Sequence, residues 1–139
     1  MTNERVVVFI DGSNFYHGLH GAFGKANVEY HQLGRLLAGQ RELVQVYYYV
    51  APLNENMGKD NFINQQRFLE HLRRTPKVTV RLGRFSRRET KYDVTCSNLN
   101  CGEDFILRKV AYVERGVDVY LVVDMIRFAY ENLYDVGVL

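Results

Sequence analysis

The sequence predicts an α/β domain of three layers, in which a central, mainly parallel sheet is covered by helices on both faces. The chain has 139 residues, close to the size of one domain, and 47% of them are apolar, enough for one core. Short β-branched runs alternate with helical patterns, which is typical of strand–helix–strand units. The first run, Val6–Ile10, is apolar throughout and suits a strand that is buried on both faces. We therefore expect a single domain over residues 1–139.

The elements of the first third follow from local patterns. After Val6–Ile10, the glycine-rich stretch "GSNFYHGLHGAFG" favours a short helix and a loop. The stretch "YHQLGRLLAG" predicts a second helical piece with Leu33, Leu36 and Leu37 on one face, and Gly39 ends it.

The next two strands enclose an amphipathic helix. The stretch "ELVQVYYYVAP" is rich in valine and tyrosine and predicts the second strand, which Pro52 closes. In "DNFINQQRFLEHLRR", Phe62, Leu69 and Leu72 share an apolar stripe, which predicts a helix. The alternating stretch "KVTVRLGRF" predicts the third strand.

The last third begins with a weaker pattern. We expect a hairpin or an extended insert at about residues 85–112. The stretch "VDVYLVVDMIRFAYEN" then predicts a helix whose buried face carries Val119, Val122, Ile126 and Ala129. The stretch "YDVGVL" begins a further strand.

Composition and charge exclude several classes of protein. The formal net charge of +2 permits an anionic partner without requiring one, and two cysteines are too few for a disulfide scaffold. The N-terminus lacks the apolar region of a secretory signal, and no stretch approaches the roughly 20 apolar residues of a membrane span. No glycine-rich nucleotide motif follows the first strand. We expect a cytoplasmic protein that does not contact a membrane.

Asp11 follows the first predicted strand directly. In open parallel sheets, sites form outside the carboxyl ends of the strands, so Asp11 lies where a site is expected. Gly12 lets the backbone turn sharply, and Ser13 or Asn14 caps the helix that follows. The alternative is that Asp11 itself only caps a helix or stabilises a turn.

Two further acids occur in "ERGVDVYLVVDM". Asp118 follows a glycine and opens the predicted helix, where the helix dipole favours an acid. Asp124 lies within an apolar run, where a carboxylate must be paired, hydrated or metal-bound. Six helical residues turn through about 600°, so the two side chains converge only if Asp118 precedes the helix proper. The alternative for Asp124 is a surface acid beside Arg127 or Arg115.

Several carboxylates around one crevice suit a hard divalent cation such as Mg²⁺ or Mn²⁺. The stretches "FIDGSNFY", "ERGVDVYLVVDMIRFAY" and "YDVGVL" occur in this order and resemble the NYN domain of the PIN-like nuclease superfamily, the LabA-like branch in particular. The resemblance covers nearly the whole chain. It implies a PIN-like, Rossmann-like fold and metal-dependent cleavage of RNA. It also implies that Asp11, Asp118 and Asp124 hold Mg²⁺ or Mn²⁺, and that Asn14 positions the site or the substrate.

The resemblance also contains a departure. In the family, a strand like "DVGVL" continues into a short Ser-Gly-Asp-type motif that supplies further acids, and this sequence stops at Leu139. We therefore expect a C-terminally incomplete domain with weak metal binding and weak or absent activity. An unpaired strand edge or an uncovered apolar face then favours a homodimer. The alternative function is a non-catalytic module that binds RNA or regulates another protein.

A basic run with aromatic neighbours suggests where RNA binds. The stretch "RLGRFSRRETK" contains Arg84, Arg87, Arg88 and Lys91, and such runs suit the backbone and bases of a single strand. The alternative is the solvated face of a hairpin.

Cysteines and histidines give weaker signals. Cys96 and Cys101 have a spacing that zinc uses, but zinc needs about four ligands and no second Cys/His pair is near. Free or structural thiols are the default interpretation, and a zinc half-site or a disulfide are the alternatives. His17 and His20 follow the first acid and are interpreted as helix-surface residues, with proton transfer as the alternative.

Overall fold

The computed structural model describes residues 3–98 and 100–139 and has the predicted α/β architecture. In chain order the elements are β1 (Arg5–Asp11), α1 (Gly12–Phe23), α2 (Tyr30–Ala38), β2 (Glu42–Val50), α3 (Lys59–Arg74), β3 (Val78–Leu82), β4 (Arg84–Thr95), β5 (Asp104–Arg115), α4 (Val117–Tyr130) and β6 (Val136–Val138). A short 3-10 turn, Glu55–Met57, precedes α3. None of the helices formed by the described residues is long and apolar enough to cross a membrane.

The central sheet has four parallel strands in the order β3-β2-β1-β6. β1 lies inside the sheet, with β2 on one side and β6 on the other. Val6 and Phe9 are at most 1% exposed, because β1 has neighbours in the sheet and helices on both faces. The prediction of a parallel sheet from the uninterrupted apolar run is confirmed.

Helices cover both faces of the sheet and make two cores. On one face, Tyr30 of α2 and Leu69 and Leu72 of α3 pack with Val8 and Val46. The other face is covered by α4, which contributes the apolar residues Val117, Leu121 and Phe128. The three-layer arrangement brings the start of α1 and the start of α4 to the same edge of the sheet.

The buried face of α4 differs from the predicted one. Val119 and Ile126 are 62% and 67% exposed, and Val122 and Ala129 also face solvent. The helix is apolar on nearly every side, so periodicity alone does not select the face that packs. Its orientation instead follows the packing of Phe128 and its neighbours against β1 and β2.

β4 and β5 form a two-stranded antiparallel hairpin apart from the sheet. The ladder runs from the pair Arg84–Arg115 at its base to the pair Thr95–Asp104 at its tip. The hairpin leaves the sheet after β3 and returns to α4, so its base lies at the carboxyl edge of the parallel strands. It extends the predicted range of about 85–112 by a few residues at the α4 end.

At the opposite edge of the sheet, where the parallel strands begin, an ion pair connects β1 to the turn before β6. Arg5 of β1 donates from its backbone amide and its guanidinium to Asp135, with Nη2 2.9 Å from Oδ1, and also binds Asn132. These bonds lower the pKa of Asp135 to about 2. They attach the turn before β6 to the first residue of β1.

Candidate functional site

Asp11 ends β1 at the carboxyl edge and is itself the N-cap of α1. Its Oδ1 accepts a hydrogen bond from the backbone amide of Asn14 at 3.2 Å, and its Oδ2 accepts one from Asn14 Nδ2 at 2.9 Å. The prediction that Ser13 or Asn14 caps this helix is therefore wrong. Because a carboxylate has about four acceptor positions, the cap orients Asp11 and leaves room for another partner.

Gly12 is required for space and not for a sharp turn. Its φ is not positive, and a Cβ atom there would lie 2.6 Å from the Tyr48 ring and 2.7 Å from the carbonyl oxygen of Tyr49. The Tyr48 hydroxyl donates to the Gly12 carbonyl at 3.3 Å. The absence of a side chain thus lets α1 start directly against β2, and this contact fixes the position of Asp11.

Asp118 lies in the first turn of α4, immediately after the hairpin returns. Gly116 has φ of +85°, a conformation that side chains disfavour, and it converts the end of β5 into the start of α4. Asp118 is exposed and lines a cavity of about 590 Å³ together with Asp11 and Asn14. The structure thus brings together three of the four predicted catalytic residues.

Glu114 joins this group and was missed by sequence reasoning. It is half-buried near the end of β5, and burial and the charges of Asp11 and Asp118 raise its pKa, while a hydrogen bond from the Ala51 amide opposes the rise. A sequence signal existed: Glu114 stands two residues before the glycine that ends β5 and four before Asp118. Without the hairpin topology, nothing indicated that this strand returns to the carboxyl edge. We call Asp11, Glu114 and Asp118 the acid group.

Asp124 does not belong to the acid group. It is buried on the sheet-facing side of α4, where its Oδ2 accepts from the Tyr49 hydroxyl at 2.9 Å. Arg81 Nε lies 3.5 Å from the same oxygen, and Arg127 Nη2 lies 3.3 Å from Oδ1. The structure therefore does not bring Asp118 and Asp124 to one point, since both lie within the same helix and face different directions. The alternative expectation was a surface acid beside Arg127 or Arg115. Asp124 does pair with Arg127, but its side chain is buried.

A second cavity, of about 610 Å³, lies on the other side of Glu114. Gly12, His17 and Glu114 line it near the acid group, and residues of α3 line it further away. The acid group therefore lies between two cavities. His17 lies close enough to Glu114 to oppose the rise in the pKa of that carboxyl group. His20 does not line either of these cavities.

The predicted RNA-binding residues occupy both faces of the hairpin. Residues paired across an antiparallel ladder share a face, and faces alternate along each strand. Arg84 and Arg88 therefore lie on one face, and Arg87 and Lys91 lie on the other. The structure therefore divides the four predicted RNA-binding residues between the two faces of the hairpin.

The two hairpin faces differ in charge. On the face of Arg84 and Arg88, the partner strand adds Arg115 and Lys109, and no Asp or Glu is paired there. We call this the acid-free face; towards its tip it carries Tyr92, Val94, Phe105 and Leu107. The opposite face includes Glu89, which lies 3.7 Å from Arg87 and 3.8 Å from Arg108. Basic charge on that face is therefore partly neutralised.

Cys96 and Cys101 lie in the loop that joins β4 to β5. Both thiols are free, Cys96 half-buried and Cys101 exposed. In the described part of the chain, no third Cys, His, Asp or Glu joins them in a metal centre.

The acid group offers few metal ligands, but their oxygen atoms suit a hard cation. Across residues 3–98 and 100–139, no three Cys, His, Asp or Glu side chains are arranged to hold a metal ion by themselves. Asp11, Asn14 and Asp118 nevertheless offer oxygen atoms to one cavity. Mg²⁺ commonly keeps several waters and takes only one or two carboxylates from the protein, so this donor set fits a hydrated hard cation.

Comparisons with known proteins agree with the architecture. No curated protein matches the chain in a sequence search. A solved structure of a protein of unknown function from Vibrio parahaemolyticus matches with a TM-score of 0.52 and 20% identity. The match covers 91% of this chain and 60% of that one, so this chain spans less than two thirds of the length of its structural relative. At this identity the likeness shows the fold alone.

The NYN domain family model matches residues 5–139. The match extends from β1 through β6 and includes the acid group. The chain belongs to the NYN domain family.

Proposed function

We propose that this NYN domain is a metal-dependent ribonuclease whose active centre is the acid group. The observation that carries the proposal is the convergence of Asp11, Glu114 and Asp118 at the carboxyl edge, where each carboxylate comes from a different element. Three neighbouring acids repel one another, and such repulsion is typical of sites that bind a cation or transfer a proton.

Each acid has a distinct role in the proposal. Asp11 and Asp118 would hold Mg²⁺ or Mn²⁺, and Asn14 keeps Asp11 oriented through its two hydrogen bonds. When bound, the cation activates water and neutralises charge on the phosphodiester. Glu114, whose pKa is raised, accepts a proton more readily near neutral pH than an ordinary glutamate does. Asp124 is left out of the metal set because two arginines and Tyr49 already bind its oxygens.

The proposed substrate is single-stranded RNA held by the acid-free face. Arg84, Arg88, Lys109 and Arg115 have no acidic partner across the hairpin ladder, so their charge is available to phosphates. Tyr92 and Phe105 near the tip offer rings on which bases stack. Glu114 pairs with Phe85 on the opposite face at the base of the same hairpin, so a strand bound to the acid-free face would pass around that base to reach the acid group.

The test is cleavage of a labelled single-stranded RNA with Mn²⁺ or Mg²⁺. We expect the wild-type chain to cut weakly, and Asp11→Asn and Asp118→Asn to reduce cleavage to the background rate, since each removes a charged cation ligand. Glu70→Gln is the matched control, because Glu70 is an exposed acid of α3 that pairs only with Arg74. Unchanged cleavage by either active-centre variant would refute the proposal.

A second candidate is a non-catalytic RNA-binding module. The observation that favours it is the absence, within the described residues, of a preformed metal centre with three ligands. The same assay separates the two: the module would bind RNA in EDTA with wild-type affinity and would cut none with either metal.

A further inference from the structure

The cavity of about 610 Å³ beside Glu114 has the chemistry of a nucleobase site. We call it the amide pocket, because α3 lines it with Asn61, Asn64 and Gln65. These positions are related as i, i+3 and i+4, so they lie on one face of the helix. The volume is within the range of about 300–1,000 Å³ that small-molecule sites occupy.

Gln65 holds the pocket in shape. Its Oε1 accepts from the Leu53 amide at 2.7 Å, and its Nε2 donates to the Ala51 carbonyl at 3.2 Å. Gln65 therefore fixes the chain after β2 against α3 and has little capacity left for a ligand. The Ala51 amide meanwhile lies close enough to Glu114 to favour its ionised form, and both residues line the pocket. The wall of the pocket and the acid group are thus attached to the same short segment.

Asn61 and Asn64 have free hydrogen-bonding capacity. In the described part of the chain, no hydrogen bond to protein engages either amide, and both side chains are exposed at the pocket. A carboxamide presents a donor and an acceptor in one plane, which matches the edge of a nucleobase. Asn binds the donor–acceptor pair of adenine in this bidentate way.

The remaining walls combine aromatic rings with aliphatic side chains such as Met57. Tyr16 is 48% exposed at the pocket, and Phe85 enters it from the base of the hairpin, so a planar ring can stack there. Among the residues that the structure describes, no Lys or Arg lines the cavity, and the ionisable side chains that line it near the acid group are those of His17 and Glu114. A phosphate would find no cation here, whereas an uncharged planar base fits.

We propose that the amide pocket binds the unpaired adenine base of the nucleotide next to the scissile phosphate, and so sets the base preference of cleavage. This inference rests on the proposed function for its place in the reaction. The geometry is that of an extruded nucleotide: Glu114 is shared by the pocket and the acid group, so a base in the pocket places its own phosphate near the carboxylates.

The first test measures the binding of free adenosine and free uridine by NMR titration in the presence of EDTA. We expect adenosine to bind more tightly than uridine, and Asn61→Ala with Asn64→Ala to weaken adenosine binding by about tenfold or more. Both residues are exposed, so the double variant should fold, as its circular dichroism will show. Gln32→Ala, an exposed amide of α2 outside the pocket, is the matched control. Equal binding of adenosine and uridine, or an unaffected double variant, would overturn the inference.

The second test uses oligouridine that contains one adenosine. We expect cuts beside that adenosine in the wild type and uniform cuts in the double variant. Cleavage without base preference would overturn the inference and leave the proposed function intact. Adenosine binding without any cleavage would support the pocket and refute the nuclease activity, so the two failures are distinguishable.

Discussion

Glu114 is the side chain whose chemistry departs most from its ordinary behaviour at the candidate site. Burial and the charges of Asp11 and Asp118 raise its pKa from the ordinary value of 4.5. An acid with a raised pKa binds its proton more tightly in the folded state than in the unfolded one. Ionised Glu114 therefore destabilises the domain, and the free energy of unfolding falls as pH rises from 4.5 through the raised pKa.

Glu114→Gln should accordingly stabilise the metal-free domain at pH 7. Glutamine keeps an acceptor for the Ala51 amide and removes the repulsion. We expect a gain below about 1 kcal/mol, because solvent screens a half-exposed charge. The gain should be much smaller near pH 4, where Glu114 is mostly protonated in both states. Urea unfolding in EDTA at pH 4 and pH 7 measures it, and a variant that is less stable at pH 7 contradicts this electrostatic assignment.

Substituting Asp124 should mainly lower stability, whereas substituting Asp118 should mainly lower activity. Asp124→Ala leaves the buried Tyr49 hydroxyl and two arginines without their acceptor, so we expect a loss of about 1–3 kcal/mol in the free energy of unfolding. Asp118→Ala removes an exposed acid and should change stability by under about 1 kcal/mol while abolishing cleavage. Urea unfolding measures the change in stability of each variant, and the cleavage assay measures the change in its activity. A stable Asp124→Ala variant that cannot cut would return Asp124 to the metal site.

At the residue scale, sequence reasoning placed acids at the carboxyl edge of the sheet where a motif met the end of a strand. Asp11 and Asp118 were identified because each stands at a recognisable boundary between elements. Glu114 was missed because its position depends on where β5 ends in space, and Asp124 was misgrouped because its partners Tyr49 and Arg81 come from strands far along the chain. Burial correctly indicated that Asp124 needs a partner, but it did not distinguish a cation from arginine.

The hairpin is the element in which register decides function. Alternation places Arg88 and Lys109 on the acid-free face, and Arg87 and Arg108 on the face where Glu89 neutralises them. Removing two positive charges from the acid-free face should therefore weaken RNA binding more than removing two from the opposite face.

Neutralising the acid-free face should lower the salt dependence of RNA binding. We expect Arg88→Gln with Lys109→Gln to reduce the slope of log affinity against log salt by about 2, one for each phosphate contact removed. Arg87→Gln with Arg108→Gln is the matched control and should change the slope much less. Fluorescence anisotropy at several salt concentrations measures both. If the control variant has the larger effect, RNA lies on the opposite face.

At this scale, the strands and helices of the parallel sheet were predictable because each has a distinct period or an apolar run. The hairpin was left open between a hairpin and an insert, because its exposed strands have no apolar face to mark them. The orientation of α4 was wrong for the opposite reason: nearly every side of that helix is apolar, as the exposed Val119 and Ile126 show.

For the whole molecule, this apolar outer surface bears on assembly. The exposed apolar side of α4 and the short edge strand β6 are both open to a partner, and a homodimer stays our prediction. We expect Ile126→Glu to produce monomers, because a buried charge opposes an apolar interface. Sedimentation velocity measures it, with Arg67→Glu on exposed α3 as the control. A wild-type chain that sediments as a 16.2 kDa monomer contradicts the prediction.

The fold class was predictable at this scale because alternation of strands and helices leaves few arrangements for a parallel sheet. The two cavities were not predictable, because they form where α1, α3, α4 and the hairpin come together. The contacts between these elements depend on packing between segments that are distant in the sequence.

The bond between Arg5 and Asp135 joins residues near opposite ends of the described chain, and β1 pairs with β6 beside it. During synthesis, β1 must therefore wait for a partner strand that is made more than a hundred residues later. Until then, one edge of the most apolar strand remains open on the nascent chain. We conclude that the sheet is completed only after residues 136–138 have been synthesised, and that chaperones which bind exposed apolar strands would find this edge of β1 open until then.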